Sequence, residues 1–275
     1  MSAQRYRVAL TGASGGLGKA MAIALAGRSE RMFLLGRDGD ELERLRRSLA
    51  NVEAIVLAGD ITDAEFVAEV HATVVEQGGV NLLINNAGLS EFAAFEQQSP
   101  LSMEQLLRVN LLAPMCLTQA LLPALLRERA AQIVNIGSSF SYIGYPGFSS
   151  YCATKFGLRG FTEALSRELT GTSVRVRLFS PRAIKTSLNS SSVRLLNERM
   201  RIAEDDPADV AQQFIDFLGG NRAERQIGFP EKIYTKLNQL APALITQGMR
   251  KQLPLIRAAL PVSSSIPEGE PCSNK

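Results

Sequence analysis

The segment Thr11-Gly12-Ala13-Ser14-Gly15-Gly16-Leu17-Gly18 joins an apolar run, Val8-Ala9-Leu10, to a helical pattern from Lys19 to Ala26. Glycines allow a tight turn and let the backbone approach a pyrophosphate, while the free amides and positive dipole end of a helix attract the anion. Glycine-rich turns are common, so the motif alone is a weak signal. Its position between a strand and a helix predicts that this turn binds a nucleotide.

The same alternation of apolar runs and helical patterns continues along the chain, with helical segments such as Asp40 to Leu49 and Ala64 to Val75. The short apolar runs predict buried strands. After Val8 to Leu10, they are Met32 to Leu35, Ala54 to Leu57, Leu82 to Ile84, Ile133 to Ile136 and Val174 to Leu178. This order predicts an α/β fold: a Rossmann-type, doubly wound parallel sheet of about seven strands with helices on both faces.

Length and composition fit one large domain or two small ones, with a single α/β domain common at this length, and they disfavour several functions. The chain has 275 residues, 45% of them hydrophobic, which is enough for a full core. Its net charge of +3 is too balanced for a nucleic-acid-binding surface. His71 is the only histidine, and the cysteines, Cys116, Cys152 and Cys272, lie far apart. A metal site and a Ser-His-Asp hydrolase are therefore disfavoured. Reduced cysteines and a polar start at Met1 to Arg7 predict a cytoplasmic protein.

Tyr151 and Lys155 lie four residues apart, so they share one face if the segment is helical. A cation beside the phenol favours the phenolate and would lower the tyrosine pKa from its usual value of about 10. A tyrosine in this state passes a proton to or from a substrate oxygen near neutral pH. This spacing often occurs by chance, so its value as evidence for a catalytic pair depends on the other motifs.

Taken together, the motifs resemble the short-chain dehydrogenase/reductase (SDR) family over about Arg7 to Thr186. The glycine turn has the family's T-G-x-x-x-G-x-G form, and Asn85-Asn86-Ala87-Gly88 follows the fourth predicted strand. Asn110 and Ser138 occupy the places of the family's catalytic asparagine and serine, with Ser138 thirteen residues before the tyrosine. Ser139 is a near alternative that the register disfavours.

This resemblance implies that the catalytic residues are Asn110, Ser138, Tyr151 and Lys155. Ser138 would hydrogen-bond the substrate carbonyl oxygen, and Tyr151 would exchange a proton with that oxygen. Lys155 would lower the tyrosine pKa and bind the nicotinamide ribose, while Asn110 would hold a water that links Lys155 to solvent. For Asn110 alone, bending its own helix through a backbone hydrogen bond is the structural alternative.

The resemblance also implies a nicotinamide cofactor, with Asp60 beside the adenine. Thr62, by contrast, is expected only to cap the helix that follows. The residues expected to contact the cofactor are Thr11, Gly12, Ser14, Gly16, Leu17, Gly18, Arg37, Asp60, Ile61, Asn86, Ala87, Gly88, Tyr151, Lys155, Pro181, Ile184 and Thr186.

NADP(H) is predicted in preference to NAD(H). NAD-binding proteins of this kind usually end the second strand with a carboxylate that grips the ribose 2′-OH. Here that place is taken by Gly36, and Arg37 follows with a guanidinium that suits a 2′-phosphate. Ser14 would assist, whereas Gly15 fills the family's other basic position. The alternative is that Arg37 is only a solvated charge after a strand.

One departure from the family lies in Ser180-Pro181-Arg182-Ala183-Ile184-Lys185-Thr186, after the sixth predicted strand. Pro181 and Thr186 fit the family pattern, but Arg182 stands where a glycine is usual. Three interpretations stay open: the side chain crowds the nicotinamide, reaches a phosphate, or contacts an acidic substrate.

We predict one SDR domain, residues 1–230, that includes a lid at about residues 185–206. An amphipathic helical C-terminal extension, 231–261, and a disordered tail, 262–275, are expected to follow. The extension is expected to cover the substrate opening or a subunit contact. A membrane surface is less favoured, because two prolines and a glycine interrupt the helix. The apolar residues of the extension are Leu237, Leu240, Leu244, Met249, Leu253, Ile256 and Leu260, and the interrupting ones are Pro242, Gly248 and Pro254.

The predicted function is an NADPH-dependent carbonyl reductase or alcohol dehydrogenase that acts on a small molecule. By analogy with the family, pairing of long helices at Met103 to Arg127 and Ser150 to Leu169 would form a homodimer or homotetramer. The alternative is a non-catalytic NADP(H)-binding sensor or regulatory protein, for which Arg182 and the C-terminal segment leave room. A sugar-nucleotide epimerase of the extended branch is disfavoured by the glycine spacing and the chain length.

Overall fold

A computed structural model describes residues 5–49 and 51–261, so the predicted tail at 262–275 lies outside the described residues. The described chain contains a sheet of seven parallel strands in the order β3-β2-β1-β4-β5-β6-β7. Because the order reverses between β1 and β4, a crevice opens outside the carboxyl ends of these two strands. The strands are β1 (Tyr6–Thr11), β2 (Ser29–Gly36), β3 (Glu53–Ala58), β4 (Leu82–Asn85), β5 (Ala131–Ile136), β6 (Val174–Ser180) and β7 (Glu224–Gln226).

Helices cover both faces of the sheet, as predicted from the alternating pattern. One core lies under α1, α2 and α8, and the other lies under α3, α5 and α6. The helices are α1 (Gly16–Ala26), α2 (Gly39–Ser48), α3 (Ala64–Glu76), α4 (Pro100–Leu107), α5 (Ala113–Leu126), α6 (Ser149–Glu168), α7 (Ser191–Arg199), α8 (Pro207–Gly219), α9 (Phe229–Leu240) and α10 (Pro242–Ala259).

Strand β1 shows why the inner strands are continuous apolar runs. Successive side chains of a strand point to opposite faces. Val8 and Leu10 therefore join the first core, whereas Ala9 joins the second. Both faces are buried, so no polar residue alternates with them. Strand β7 contains only Glu224, Arg225 and Gln226 at an edge of the sheet, which is why no apolar run predicted it.

Helices α4 and α5 are joined by a π-helical turn, Arg108–Leu112. The whole helix, Pro100–Leu126, is long and apolar enough to cross a membrane by length and composition. In the structure α5 packs against α3 and β5, and Leu117, Leu121 and Leu125 belong to the second core. The π-helical turn lies against α6 and places Asn110 toward the end of β4.

The C-terminal extension forms two helices. Pro242 begins α10, but Gly248 and Pro254 lie inside this helix and do not end it, so the predicted interruption at these two positions is wrong. Pro254 removes only the hydrogen bond to the carbonyl of Arg250. Both residues are exposed, so water can satisfy that carbonyl. The predicted lid region, 185–206, contains α7 and its flanking turns.

Candidate active site

A cleft of about 1590 Å3 lies at the carboxyl ends of β1, β4, β5 and β6. Single-ligand pockets usually measure about 300–1,000 Å3, so the cleft has room for a dinucleotide and a second molecule. Every predicted catalytic and cofactor-contacting residue lines it except Asn110, whose neighbours Arg108 and Val109 do.

Tyr151 and Lys155 lie on α6, and the predicted shared face is confirmed. The Lys155 Nζ atom is 5.7 Å from the centroid of the Tyr151 ring. This ammonium donates a 3.0 Å hydrogen bond to the carbonyl of Ile136, the last residue of β5. The end of the strand therefore holds the lysine beneath the tyrosine.

The pKa of Tyr151 is raised, whereas its spacing from Lys155 predicted a lowered pKa. Its ring is buried and meets the rings of Phe140 and Phe148 edge-on, at centroid distances of 6.1 and 6.3 Å. Burial raises the pKa of Tyr151 to about 12, and the nearby Ser138 hydroxyl offsets only part of this effect. The expected lowering by Lys155 is thus wrong for the protein without a cofactor, and Tyr151 carries its proton at neutral pH. Burial also lowers the pKa of Lys155, to about 8.

Ser138 is held by a reciprocal pair of hydrogen bonds where the chain leaves β5. Its Oγ atom accepts from the backbone N–H of Phe140 at 3.2 Å, and the Oγ atom of Ser141 accepts from the N–H of Ser138 at 3.1 Å. The hydroxyl that affects the Tyr151 pKa belongs to Ser138. The Oγ atom of Ser139 is buried without a hydrogen-bond partner among the described residues. The geometry thus agrees with the register that favoured Ser138.

Asn110 binds neighbouring segments through both ends of its amide. Its Oδ1 atom accepts from the N–H of Leu89 at 2.7 Å, and its Nδ2 atom donates to the carbonyl of Leu89 at 2.8 Å. Nδ2 also donates to Thr154 Oγ1 at 3.1 Å, and Thr154 donates to the carbonyl of Tyr151 at 2.7 Å. Asn110 therefore ties the loop after β4 to α6 rather than bending its own helix. A water held by Asn110 stays a prediction, and the linking role of Thr154 escaped the sequence analysis.

The glycine turn is shaped for close backbone approach. Gly12 has φ +64°, and a Cβ atom on Gly18 would overlap the carbonyl oxygen of Gly12. The Thr11 Oγ1 atom accepts hydrogen bonds of 2.9 Å from the N–H groups of Asn86 and Ala87. Asn86 Nδ2 donates to the carbonyl of Thr11 at 3.0 Å. These predicted cofactor residues thus join the loops after β1 and β4, and the cradle that they form fits a dinucleotide pyrophosphate.

At the other end of the cleft lie the residues after β2 and β3, where the sequence predicts the adenosine site. Arg37 is exposed at the rim, and a Cβ atom on Gly36 would lie 3.1 Å from Ser14 Oγ. Asp60 Oδ1 accepts from the N–H and the hydroxyl of Thr62, both at 2.8 Å, which lowers the Asp60 pKa. The cap of α3 is Asp63, so the proposed capping role of Thr62 is wrong.

Arg182 forms contacts that none of the three interpretations from the sequence included, and those interpretations stay predictions. Its guanidinium forms two hydrogen bonds with the Asp205 carboxylate, of 3.0 and 2.7 Å. A second ion pair joins it to Glu231 of α9 at 3.6 Å. Asp205 raises the pKa of Arg182, so the side chain stays charged. Arg182 thus ties the end of β6 to the base of the predicted lid and to the C-terminal extension.

Apolar side chains line the half of the cleft next to Tyr151. They come from the loop before α6, from α7 and from the C-terminal helices, so no local motif could predict their meeting. They include Phe140, Ile143, Tyr145, Phe148, Val193, Leu196, Met200, Leu237, Leu244, Ile245 and Met249. Within residues 5–49 and 51–261, no group of three or more His, Cys, Asp or Glu is placed to hold a metal ion.

The family model described as "short chain dehydrogenase" matches residues 7–195, which is more than half of the chain. The chain belongs to the short-chain dehydrogenase family. It is an NAD(P)-dependent oxidoreductase that acts on CH–OH or C=O groups, as the site geometry indicates. The family predicted from the glycine turn and the catalytic motifs is therefore confirmed.

Known members of the short-chain dehydrogenase family match most of the chain. Dehydrogenase/reductase SDR family member 7B of Bos taurus is 30% identical over 253 residues, which cover 86% of this chain and 78% of that protein. An alcohol dehydrogenase from Thermococcus sibiricus, solved with 5-hydroxy-NADP, is 25% identical with a TM-score of 0.72, covering 82% of this chain and 96% of its own. A family member from Burkholderia phymatum, solved with NAD, has the same fold at 24% identity and a TM-score of 0.80, covering 89% and 96%.

Proposed function

We propose that the protein is an NADPH-dependent carbonyl reductase, which in reverse acts as an alcohol dehydrogenase. The observation that carries this proposal is the convergence of Ser138, Tyr151 and Lys155 beside the glycine turn, in one cleft. The bound cofactor supplies the hydride, and the protein supplies position, a proton and electrostatic stabilisation. Thr11, Gly12, Asn86 and Arg37 belong to the part of the cleft that would hold the cofactor.

Tyr151 acts as the acid in the proposed reduction. Its raised pKa keeps the phenol protonated at neutral pH, so it can give a proton to the carbonyl oxygen of the substrate as negative charge develops there. Ser138 lies beside the phenol and donates a hydrogen bond to the same oxygen. The Lys155 Nζ atom lies 5.7 Å from the centroid of the Tyr151 ring, where its charge favours the phenolate that forms after the proton has left.

The preference for NADPH rests on the residues after β2. The carboxylate that would bind a ribose 2′-OH is absent at Gly36, and a Cβ atom there would lie 3.1 Å from Ser14 Oγ. Arg37 lies exposed at the rim of the same cleft and suits a 2′-phosphate. Related structures have been solved with either cofactor, so these residues alone carry the preference.

The lining of the cleft supports a substrate with a bulky apolar body. Phe140, Phe148, Leu196 and Met249 face the cavity together with other apolar side chains. The alternative of a non-catalytic sensor rested on Arg182 and on the C-terminal segment, and the Arg182 side chain pairs with Asp205. The proposed enzyme is also expected to be cytoplasmic and to form a homo-oligomer through α5 and α6.

The first experiment is a pair of fluorescence titrations with NADPH and NADH, followed by carbonyl substrates under the preferred cofactor. Tyr151→Phe should bind NADPH as the wild type does and lose about a hundredfold to ten-thousandfold in kcat, the usual contribution of a general acid. Tyr145→Phe is the matched control, because its hydroxyl lies in the same cleft with no hydrogen-bond partner among the described residues. Equal activity of Tyr151→Phe and wild type would rule out the proposed mechanism.

A further inference from the structure

Helix α9 presents an apolar face that the rest of the described chain leaves uncovered. Phe229, Ile233 and Leu240 are 76%, 52% and 85% exposed, and their spacing places them on one side of the helix. The opposite side is anchored, since Thr235 is buried and donates a 2.9 Å hydrogen bond to Gln226 Oε1. Large apolar side chains clustered in this way mark an interaction surface.

The charges on α9 and α10 identify the kind of partner. The two helices contain a single acidic residue, Glu231, which is paired with Arg182. The basic residues are all exposed, and they are Lys232, Lys236, Arg250, Lys251 and Arg257. An apolar helical face with lysines beside it matches the water interface of an anionic lipid layer. A two-fold contact with a second copy would bring these like charges together.

The mouth of the cleft lies on the same two helices. Tyr234 of α9 and Leu244 of α10 both line the cleft, yet they are 56% and 58% exposed. They therefore form part of its rim. An apolar compound dissolved in a lipid layer that touches this rim would reach the cleft without crossing water.

We propose that α9 and the beginning of α10 dock the protein on an anionic membrane surface, with the mouth of the cleft at the interface. Interfacial helices of this kind bury their apolar face about 5–10 Å into the headgroup region. In the sequence analysis, the predicted interruption of the helix argued against binding to a membrane surface. In the structure, α10 continues through Gly248 and Pro254.

The test is co-sedimentation of the full-length protein with vesicles, without cofactor or substrate, so that its outcome is independent of the proposed reaction. One set of vesicles is phosphatidylcholine, and the other contains equal parts of phosphatidylcholine and phosphatidylserine. We expect binding to the second set that weakens as salt is added. Ile233→Ser and Lys236→Glu should each weaken this binding by about fivefold or more, since one surface cation contributes about 1 kcal/mol and a buried isoleucine somewhat more.

The matched controls lie on α1. Ile23 is 53% exposed, close to the 52% of Ile233, and Lys19 is exposed like Lys236. Ile23→Ser and Lys19→Glu should bind the anionic vesicles as the wild type does. The proposal fails if the wild type does not bind these vesicles, or if Ile233→Ser binds them unchanged. It also fails if Ile233→Ser, but not Ile23→Ser, splits an oligomer in gel filtration, because the face then belongs to a second copy.

Discussion

The ammonium group of Lys155 lies in a buried site, where it bonds the carbonyl of Ile136 and faces the Tyr151 ring. Burial lowers its pKa from 10.5 to about 8. A charged group that loses its proton more easily in the folded state makes that state less stable wherever the lysine is charged. Lys155, a proposed catalytic residue, is therefore expected to reduce the stability of the fold that holds it.

Lys155→Met should raise the free energy of unfolding at pH 7, by at most about 3 kcal/mol, while turnover is lost. Below pH 8 the lysine is charged in both states, so its penalty is complete. Between about pH 8 and 10.5 the folded lysine has lost its proton and the unfolded one keeps it, so wild-type stability rises with pH. Denaturant unfolding at pH 7 and pH 10 should show the advantage of the variant shrinking.

The control for this prediction is Lys19→Met, which removes an exposed lysine and should change neither stability nor its pH dependence. A Lys155→Met advantage that stays equal at pH 7 and pH 10 would show that packing, and not the buried charge, is responsible.

Arg37 is the residue on which the choice of cofactor is expected to depend. Arg37→Ala should weaken NADPH binding by about tenfold or more and leave NADH binding nearly unchanged, because only NADPH carries the 2′-phosphate. Parallel fluorescence titrations measure both affinities. Arg47→Ala is the control, since Arg47 is exposed on α2 and does not line the cleft. Equal weakening of both cofactors would mean that Arg37 does not recognise the phosphate.

Strand β6 shows that a local pattern predicts an element but not the partners of its side chains. Val174-Arg175-Val176-Arg177-Leu178 predicts a buried strand, but the pattern does not show what a buried Arg177 would bind. In the structure its guanidinium donates to the carbonyl of Phe217 and to Gln132 Oε1, both at 2.6 Å. Arg177 thereby satisfies carbonyl groups at the end of α8 and lies over the Phe217 ring. The partner is 40 residues away in sequence, beyond the reach of periodicity.

The ion pair of Arg182 and Asp205 links β6 to the predicted lid. Arg182→Gly, which restores the residue usual in the family, should lower the free energy of unfolding by about 1–3 kcal/mol, since a charge-assisted pair is lost from a partly buried site. Limited proteolysis should also cleave residues 185–206 faster.

Asp205→Asn removes the same pair from the other side. The double variant should therefore be scarcely less stable than Arg182→Gly alone, because that change already breaks the pair with Asp205 as well as the ion pair with Glu231. Additive losses would mean that the two residues act independently and that the pair does not hold the lid region.

For the molecule as a whole, exposed apolar side chains on α5 and α6 support the proposed homo-oligomer. Leu112, just before α5, and Met115 are 50% and 38% exposed, and Phe156 of α6 is 42% exposed. Phe156→Asp should shift the protein to a smaller species in gel filtration with light scattering, because it buries a charge in the contact. Val75→Asp, on the exposed side of α3, is the control and should leave the mass unchanged. A wild-type monomer would contradict the proposal.

Local features of the sequence determined the family, the alternation of strands and helices up to β6 and the positions of the proposed catalytic residues. A turn with φ +64° at Gly12, an i,i+4 pair and a buried strand are each specified by residues close together in the chain. Only the tertiary structure decided the protonation of Tyr151, the partners of Arg177 and Arg182, and the apolar lining of the cleft beside Tyr151. Burial and pairing depend on what distant segments bring to one place, and periodicity carries no record of those contacts.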